Sequence, residues 1–241
     1  ASVTERSEID LEYARALADL GRNAEALTLL EAMVGRLRAA QIGGAPLATP
    51  LSIIGSIHND LGKFLVAEPY IREAMQIREQ VLPGSPELAI TYNNLGFILQ
   101  QTGRPDQALP IYERAHAIRL KTLGAEHIET AIAEMNIGVS LRELGRFVDA
   151  EPRLQAALAT LTTLTGKVHP VRAFALIHLG TMARLSGNPT IARERLVEAL
   201  AVQREIFGAE HVIVARGLVE LGQIELAADQ IEAAKSALTQ A

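Results

Sequence analysis

Residues 91–127 read TYNNLGFILQQTGRPDQALPIYERAHAIRLKTLGAEH. Two stretches with apolar residues at helical spacing meet at Gly103. The first carries the pair Leu95-Gly96; the second opens at Pro105 and carries Ala108. A glycine at the end of a helix supplies the left-handed cap, and a proline fits the first turn of the next. Pro110 does not fit so easily. An interior proline removes a backbone donor and clashes with the preceding turn, at a cost of about 3 kcal/mol.

The proline makes sense only as part of a repeat. It recurs in AEPYIREAM at Pro69 and AEPRLQAAL at Pro152, 41 residues before and 42 residues after Pro110. The pair of an apolar and a small residue keeps the same beat at Ile54-Gly55, Ile137-Gly138, Leu179-Gly180 and Leu221-Gly222. A turn residue follows at Gly62, Gly145, Gly187 and Asp229, then an alanine at Ala67, Ala150, Ala192 and Ala234. Ala14, Gly21 and Ala26 take these roles near the N-terminus. Such a period marks stacked supersecondary units. We read six, at about 5–46, 47–86, 87–127, 128–169, 170–211 and 212–241, the last truncated. The small residue and the alanine let two helices approach closely. Tyr112, Leu154 and Leu196 fill the space around that contact. Loss of the bond to the Asp106 carbonyl predicts a slight bend at Pro110.

Composition agrees. Of 241 residues, 49% are apolar and only 4% aromatic, so the core is built from Ala, Leu and Ile. The net charge of −5 and the lack of a basic run argue against direct nucleic-acid binding or a polybasic membrane patch. No apolar stretch approaches the length of a membrane span, and there is no cysteine for disulfides or thiolate metal sites. The ends, without an initial Met and with Ala241 inside an apolar helical pattern, read as those of a piece of a longer chain.

The pattern in 91–127, with EMNIGVSLRELGRFVDAEPRLQAAL (134–158) and IHLGTMARLSGNPTIARERLVEALAVQREIFGAEH (177–211), resembles the tetratricopeptide repeat. The likeness is to its long, kinesin-light-chain variety of roughly 42 residues. It departs from the pattern at Met33, in place of an alanine, and at Asp229, in place of the usual glycine. The resemblance implies an all-α fold, an α-solenoid wound as a right-handed superhelix of about six helix–turn–helix units. First helices line a concave groove and second helices form the outside. It further implies a non-catalytic, cytoplasmic scaffold that binds a protein or peptide segment without a cofactor. The alternative is a regulatory or sensor region of a larger effector: a signalling NTPase, a caspase-like peptidase or a transcription regulator. Self-association through the ends of the array is a further option.

Chemistry-bearing motifs are absent from the sequence: no phosphate loop, nucleophile elbow or zinc-protease motif occurs. His127, His169 and His211 recur 42 residues apart, which is the spacing of repeat joints, where they cap or pack, rather than of a metal site. His58 and His116 stand alone. We therefore expect no catalytic or metal-binding residue.

By resemblance, the partner meets the second, sixth, ninth and twelfth positions of each first helix, one stripe of its surface. The sixth positions include Ile53, Asn94, Asn136, His178 and Glu220. Asn94 and Asn136 could clamp a peptide backbone, since a carboxamide both donates and accepts, or they could bond to neighbouring helices. The twelfth positions include Asn59, Gln100, Arg142 and Arg184. Arg142 and Arg184 would pair with an acidic side chain, or internally with Glu143 or Glu134. Phe97, at a ninth position, belongs to an apolar wall or to the core between units. No lysine stands at a second position, which argues against the clamp for a C-terminal carboxylate found on chaperone-binding arrays.

Overall fold

A computed structural model describes residues 3–241. The described residues form twelve α-helices in six pairs and no strand. They are α1 (Val3–Asp19), α2 (Asn23–Ala39), α3 (Ala45–Asp60), α4 (Phe64–Val81), α5 (Pro86–Gln101) and α6 (Pro105–Leu123). There follow α7 (Ile128–Glu143), α8 (Phe147–Thr165), α9 (Pro170–Leu185), α10 (Pro189–Phe207), α11 (Val212–Ala227) and α12 (Ile231–Gln240). The fold is an all-α solenoid of stacked helical repeats. The chain divides into two compact units, Ala1–Thr122 and Leu123–Ala241.

One turn closes every pair. The backbone is left-handed at Gly21, Gly62, Gly103, Gly145 and Gly187, and at Asp229, with φ between 59° and 80°. The next residue then donates back across the last turn: Lys63 to the His58 carbonyl at 2.8 Å, Arg104 to Leu99 at 2.9 Å, Asn188 to Ala183 at 2.8 Å. This satisfies carbonyls that a helix end leaves free. Aspartate tolerates the left-handed region better than most residues, so Asp229 keeps the turn.

The small residues permit the pairing within each repeat. A Cβ on Gly96 would lie 2.7 Å from the Tyr112 ring, and one on Gly138 would lie 2.8 Å from Leu154. Ala67, Ala108, Ala150 and Ala192 are wholly buried beside these contacts.

The interior prolines lie on the exposed face. Helices α4, α6 and α8 run unbroken through Pro69, Pro110 and Pro152, all three exposed. The carbonyls they leave without a donor belong to Leu65, Asp106 and Val148, all exposed residues, so water can replace the lost bond. Pro50 in α3 is buried and carries no such periodic signal.

In the N-terminal unit, Leu30, Leu37, Leu51 and Ile54 form a core across α1–α4, and Leu88, Tyr92 and Ala115 form a second cluster. In the C-terminal unit, Leu176, Leu196, Leu200, Val214 and Leu218 unite α9–α11. Each such side chain taken from water contributes about 1.5–3 kcal/mol. A buried arginine ties the joints of each unit. Arg78 of α4 donates to the Ser52 hydroxyl and the Glu87 carbonyl, each at 3.2 Å, and to the Thr91 hydroxyl. Burial lowers its pKa, and the Glu87 charge opposes the shift. Arg172 of α9 donates to the Thr162 hydroxyl and the Lys167 carbonyl, both at 3.0 Å, and to Glu198.

Candidate functional site

The first helices carry the residues expected to meet a partner. In the N-terminal unit, Asn94 of α5 lines a cavity of about 320 Å³ with Ala18 of α1, Ile53 and Ser56 of α3, and Ile90 of α5. These are sixth, twelfth, ninth and second positions, so the register brings them together. Arg15, Asp19 and Asp60 add charge to the cavity.

Other expected residues fall differently. Asn59 lies outside the cavity lining; it is half-buried, and its Oδ1 is buried with no hydrogen-bond partner. Phe97 is 39% exposed and meets the Phe64 ring edge-on, with centroids 6.1 Å apart. It packs between repeats while keeping an open face. Gln100 accepts from the Tyr112 hydroxyl at 3.1 Å, a bond inside its own repeat.

Side chains of α7, α9 and α11 form a charged cluster. Arg142 of α7 donates to His178 Nδ1 of α9 at 3.3 Å. Its other nitrogen reaches Glu143 at 3.4 Å, a long contact, with only 12% of the Arg142 side chain exposed. Glu134, the alternative acid, binds Arg153 at 2.9 Å. Burial lowers the Arg142 pKa; the Glu143 and Glu220 charges oppose this and the Arg184 charge adds to it. Burial, helped by the Arg142 charge, pushes the His178 imidazole down to about 3, so it stays neutral and accepts from the guanidinium. Arg184 is half-buried, and its Nε is buried with no hydrogen-bond partner. Asn136 is half-buried on α7.

The periodic histidines are caps. Nδ1 of His127, His169 and His211 accepts the backbone N–H of Glu129, Val171 and Ile213 at 3.1, 3.3 and 3.2 Å. Imidazole here takes the place of the serine or aspartate common at helix starts, as Ser85 does before α5. Among the described residues, no group of three His, Cys, Asp or Glu side chains is placed to hold a metal ion.

The cavity residues Arg15, Asp19 and Asp60 were not singled out from the sequence. Arg15 stands at a ninth position, so the register alone could have found it; Asp19 and Asp60 fall one residue beyond the twelfth.

Repeating helix pairs with this register define a class of interaction solenoid, and the comparisons agree. Family models of the tetratricopeptide repeat match residues 46–121, 87–163 and 171–241, and a further one matches 9–32. The chain belongs to the tetratricopeptide repeat family and is of the kinesin-light-chain type. No curated protein matches it. Among solved structures it is similar to BtubC (BKLC) from P. vanneervenii, with 21% identity and a TM-score of 0.66 over 100% of this chain and 89% of that one. A putative kinesin light chain from P. anserina with nearly identical TPR-like repeats gives 21% identity and a TM-score of 0.63, over 86% of this chain and 93% of that one. A Rap protein complexed with Competence and Sporulation Factor gives 14% identity and a TM-score of 0.70, over 98% of this chain and 76% of that one. The fold is typical of protein–protein interaction scaffolds. No helix among the described residues is long and apolar enough to cross a membrane.

Proposed function

We propose that this chain is a non-catalytic scaffold that grips a peptide segment of a partner protein along the inner faces of its first helices. The observation that carries the reading is the cluster of Arg142, His178 and Arg184. Two guanidiniums on adjacent first helices of one unit suit an acidic side chain of a partner. His178 remains neutral at physiological pH, so the positive charge of the cluster is that of the two arginines, offset in part at Arg142 by Glu143 and Glu220. In the N-terminal unit, Asn94, beside Ile53 and Ile90, would hold a peptide backbone next to its apolar side chains. That a Rap protein of this fold has been seen complexed with Competence and Sporulation Factor lends support by analogy of fold alone.

The test starts from a peptide selected by display on the intact chain. The double variant Asn94→Ala with Asn136→Ala should weaken that peptide about tenfold with helicity retained, and Arg184→Ala should weaken it for acidic peptides only. Unchanged affinity in both variants would remove the inner faces as the site.

A further inference from the structure

The second helices of adjacent repeats are strapped together at one recurring sequence position, to which the gap between α4 and α6 adds another. In the N-terminal unit, Arg104 grips Glu68 with both terminal nitrogens, at 2.6 and 3.1 Å, across the gap between α4 and α6. Glu68 also accepts from Arg72 at 2.8 Å. The second strap in that gap joins Arg114 to Glu79 at 2.9 Å. Between α2 and α4 the second position returns with its charges exchanged, as Arg38 and Glu73 at 2.7 Å. Between α10 and α12 it returns as Arg204 donating to Gln240 at 3.3 Å.

The gap between α8 and α10 has neither strap. Glu151 stands in the same AEP motif as Glu68, and Asn188 precedes Pro189 as Arg104 precedes Pro105. The arginine is thus replaced by a side chain too short to cross, and Gln155 donates to Glu151 at 3.0 Å where Arg72 serves Glu68. Thr162 and Glu198 hold the places of Glu79 and Arg114, and both are bound by Arg172. The gap stays open as a crevice of about 620 Å³ over α9. Glu151, Thr162 and Asn188, three of the four strap positions, line it, with Leu158, Met182 and Ile191 as its apolar wall; Arg172 and Arg195, the other charged residues of the lining, both face Glu198, so Glu151 is the carboxylate left to a ligand.

We propose that this crevice is a second binding site, on the outer helices, for a protein segment that carries an arginine beside an aliphatic residue. The incoming guanidinium meets Glu151 as Arg104 meets Glu68, in the fork geometry that suits a carboxylate. The aliphatic neighbour lies on Leu158 and Ile191. The site uses a different stripe of α9 from the one carrying His178 and Arg184, so it stands or falls independently of the inner faces.

The test is an NMR titration of the whole chain with the acetylated, amidated tripeptide Leu-Arg-Leu, with Leu-Glu-Leu as comparator. Leu-Arg-Leu should give saturable shifts at the Ala159, Thr163 and Ala183 amides; Leu-Glu-Leu should give none there. Asn188→Arg, which builds the missing strap, and Glu151→Gln, which removes the charge, should each weaken binding at least fivefold. Arginine is compatible with that place, since the Asn188 side chain caps nothing and Arg22 and Arg146 precede α2 and α8. If Asn188→Arg does not fold, Glu151→Gln decides. Equal response to both tripeptides, silence of the crevice amides, or unchanged affinity in the folded variants would overturn the proposal.

Discussion

The α4–α6 gap and the α8–α10 gap are cut from one template and end differently. Both set a glutamate in an AEP motif opposite a residue that starts the next outer helix. In the first, an arginine at that start closes the gap with a two-pronged ion pair; in the second, asparagine leaves it open. The first helices of the two units differ as well. The N-terminal unit surrounds Asn94 with Ile53, Ile90 and Ser56, whereas the C-terminal unit gathers Arg142, His178, Arg184 and Glu220. Small–large contacts inside each pair maintain the fold, so residues between pairs are free to vary and to acquire separate uses.

The contrast can be tested hardest at the glycines. Gly96→Ala should cost roughly 2 kcal/mol, because its Cβ would press on the fully buried Tyr112 ring at 2.7 Å. Gly180→Ala should stay within about 1 kcal/mol of neutral, since helix propensity favours alanine by a similar amount. Its new Cβ meets the Ala192 carbonyl at 3.1 Å and no side chain nearer than 3.4 Å. Equal losses in urea melts would mean that the third and fifth repeats are packed alike at this contact.

Acid should weaken the charged inner face next. The folded chain holds His178 neutral down to about 3, while the unfolded chain takes up its proton near 6.5. The unfolded state therefore binds more protons below 6.5, and stability falls as pH drops from there towards 3. Between pH 7 and pH 5 the parent should lose up to roughly 2 kcal/mol more than His178→Gln, which keeps an acceptor for Arg142 but cannot titrate. Parallel pH–stability curves would contradict this.

The straps should show smaller effects. Arg104→Asn copies the open gap into the N-terminal unit and should cost about 1 kcal/mol at neutral pH. Arg104, with Arg72 in support, holds the Glu68 carboxyl below its usual range. Its contribution is thus present above about 4.3 and is lost as pH falls through the lower folded value, so parent and variant should converge in acid. The converse change, Asn188→Arg, should raise stability by about 0.5 kcal/mol, read as a small rise in Tm that disappears with added Glu151→Gln.

Much of this was readable from residues alone. Glycine at the turn, alanine opposite the small residue and the bulky side chain sixteen residues on act through local geometry and short-range sterics, so their spacing suffices to predict the pair. The cavity around Asn94 follows the register for the same reason. Asn59 and Gln100 share the twelfth-position register, yet one lies outside that cavity and the other bonds within its repeat. The orientation of Gln100 follows the Tyr112 hydroxyl that its own repeat offers. The crevice was legible in principle, by setting GRP beside GNP, but its meaning required knowing that the residue before the proline reaches the preceding outer helix.

The order of helices, their turns and the small-residue contacts were determined by the sequence itself, because each involves atoms within one helix pair. Which arginines are buried, which histidine loses its proton affinity and which gap stays open were decided only in the tertiary structure. Desolvation and ion pairing depend on the surroundings of a charge, and those surroundings are assembled from residues 9 to 36 positions away.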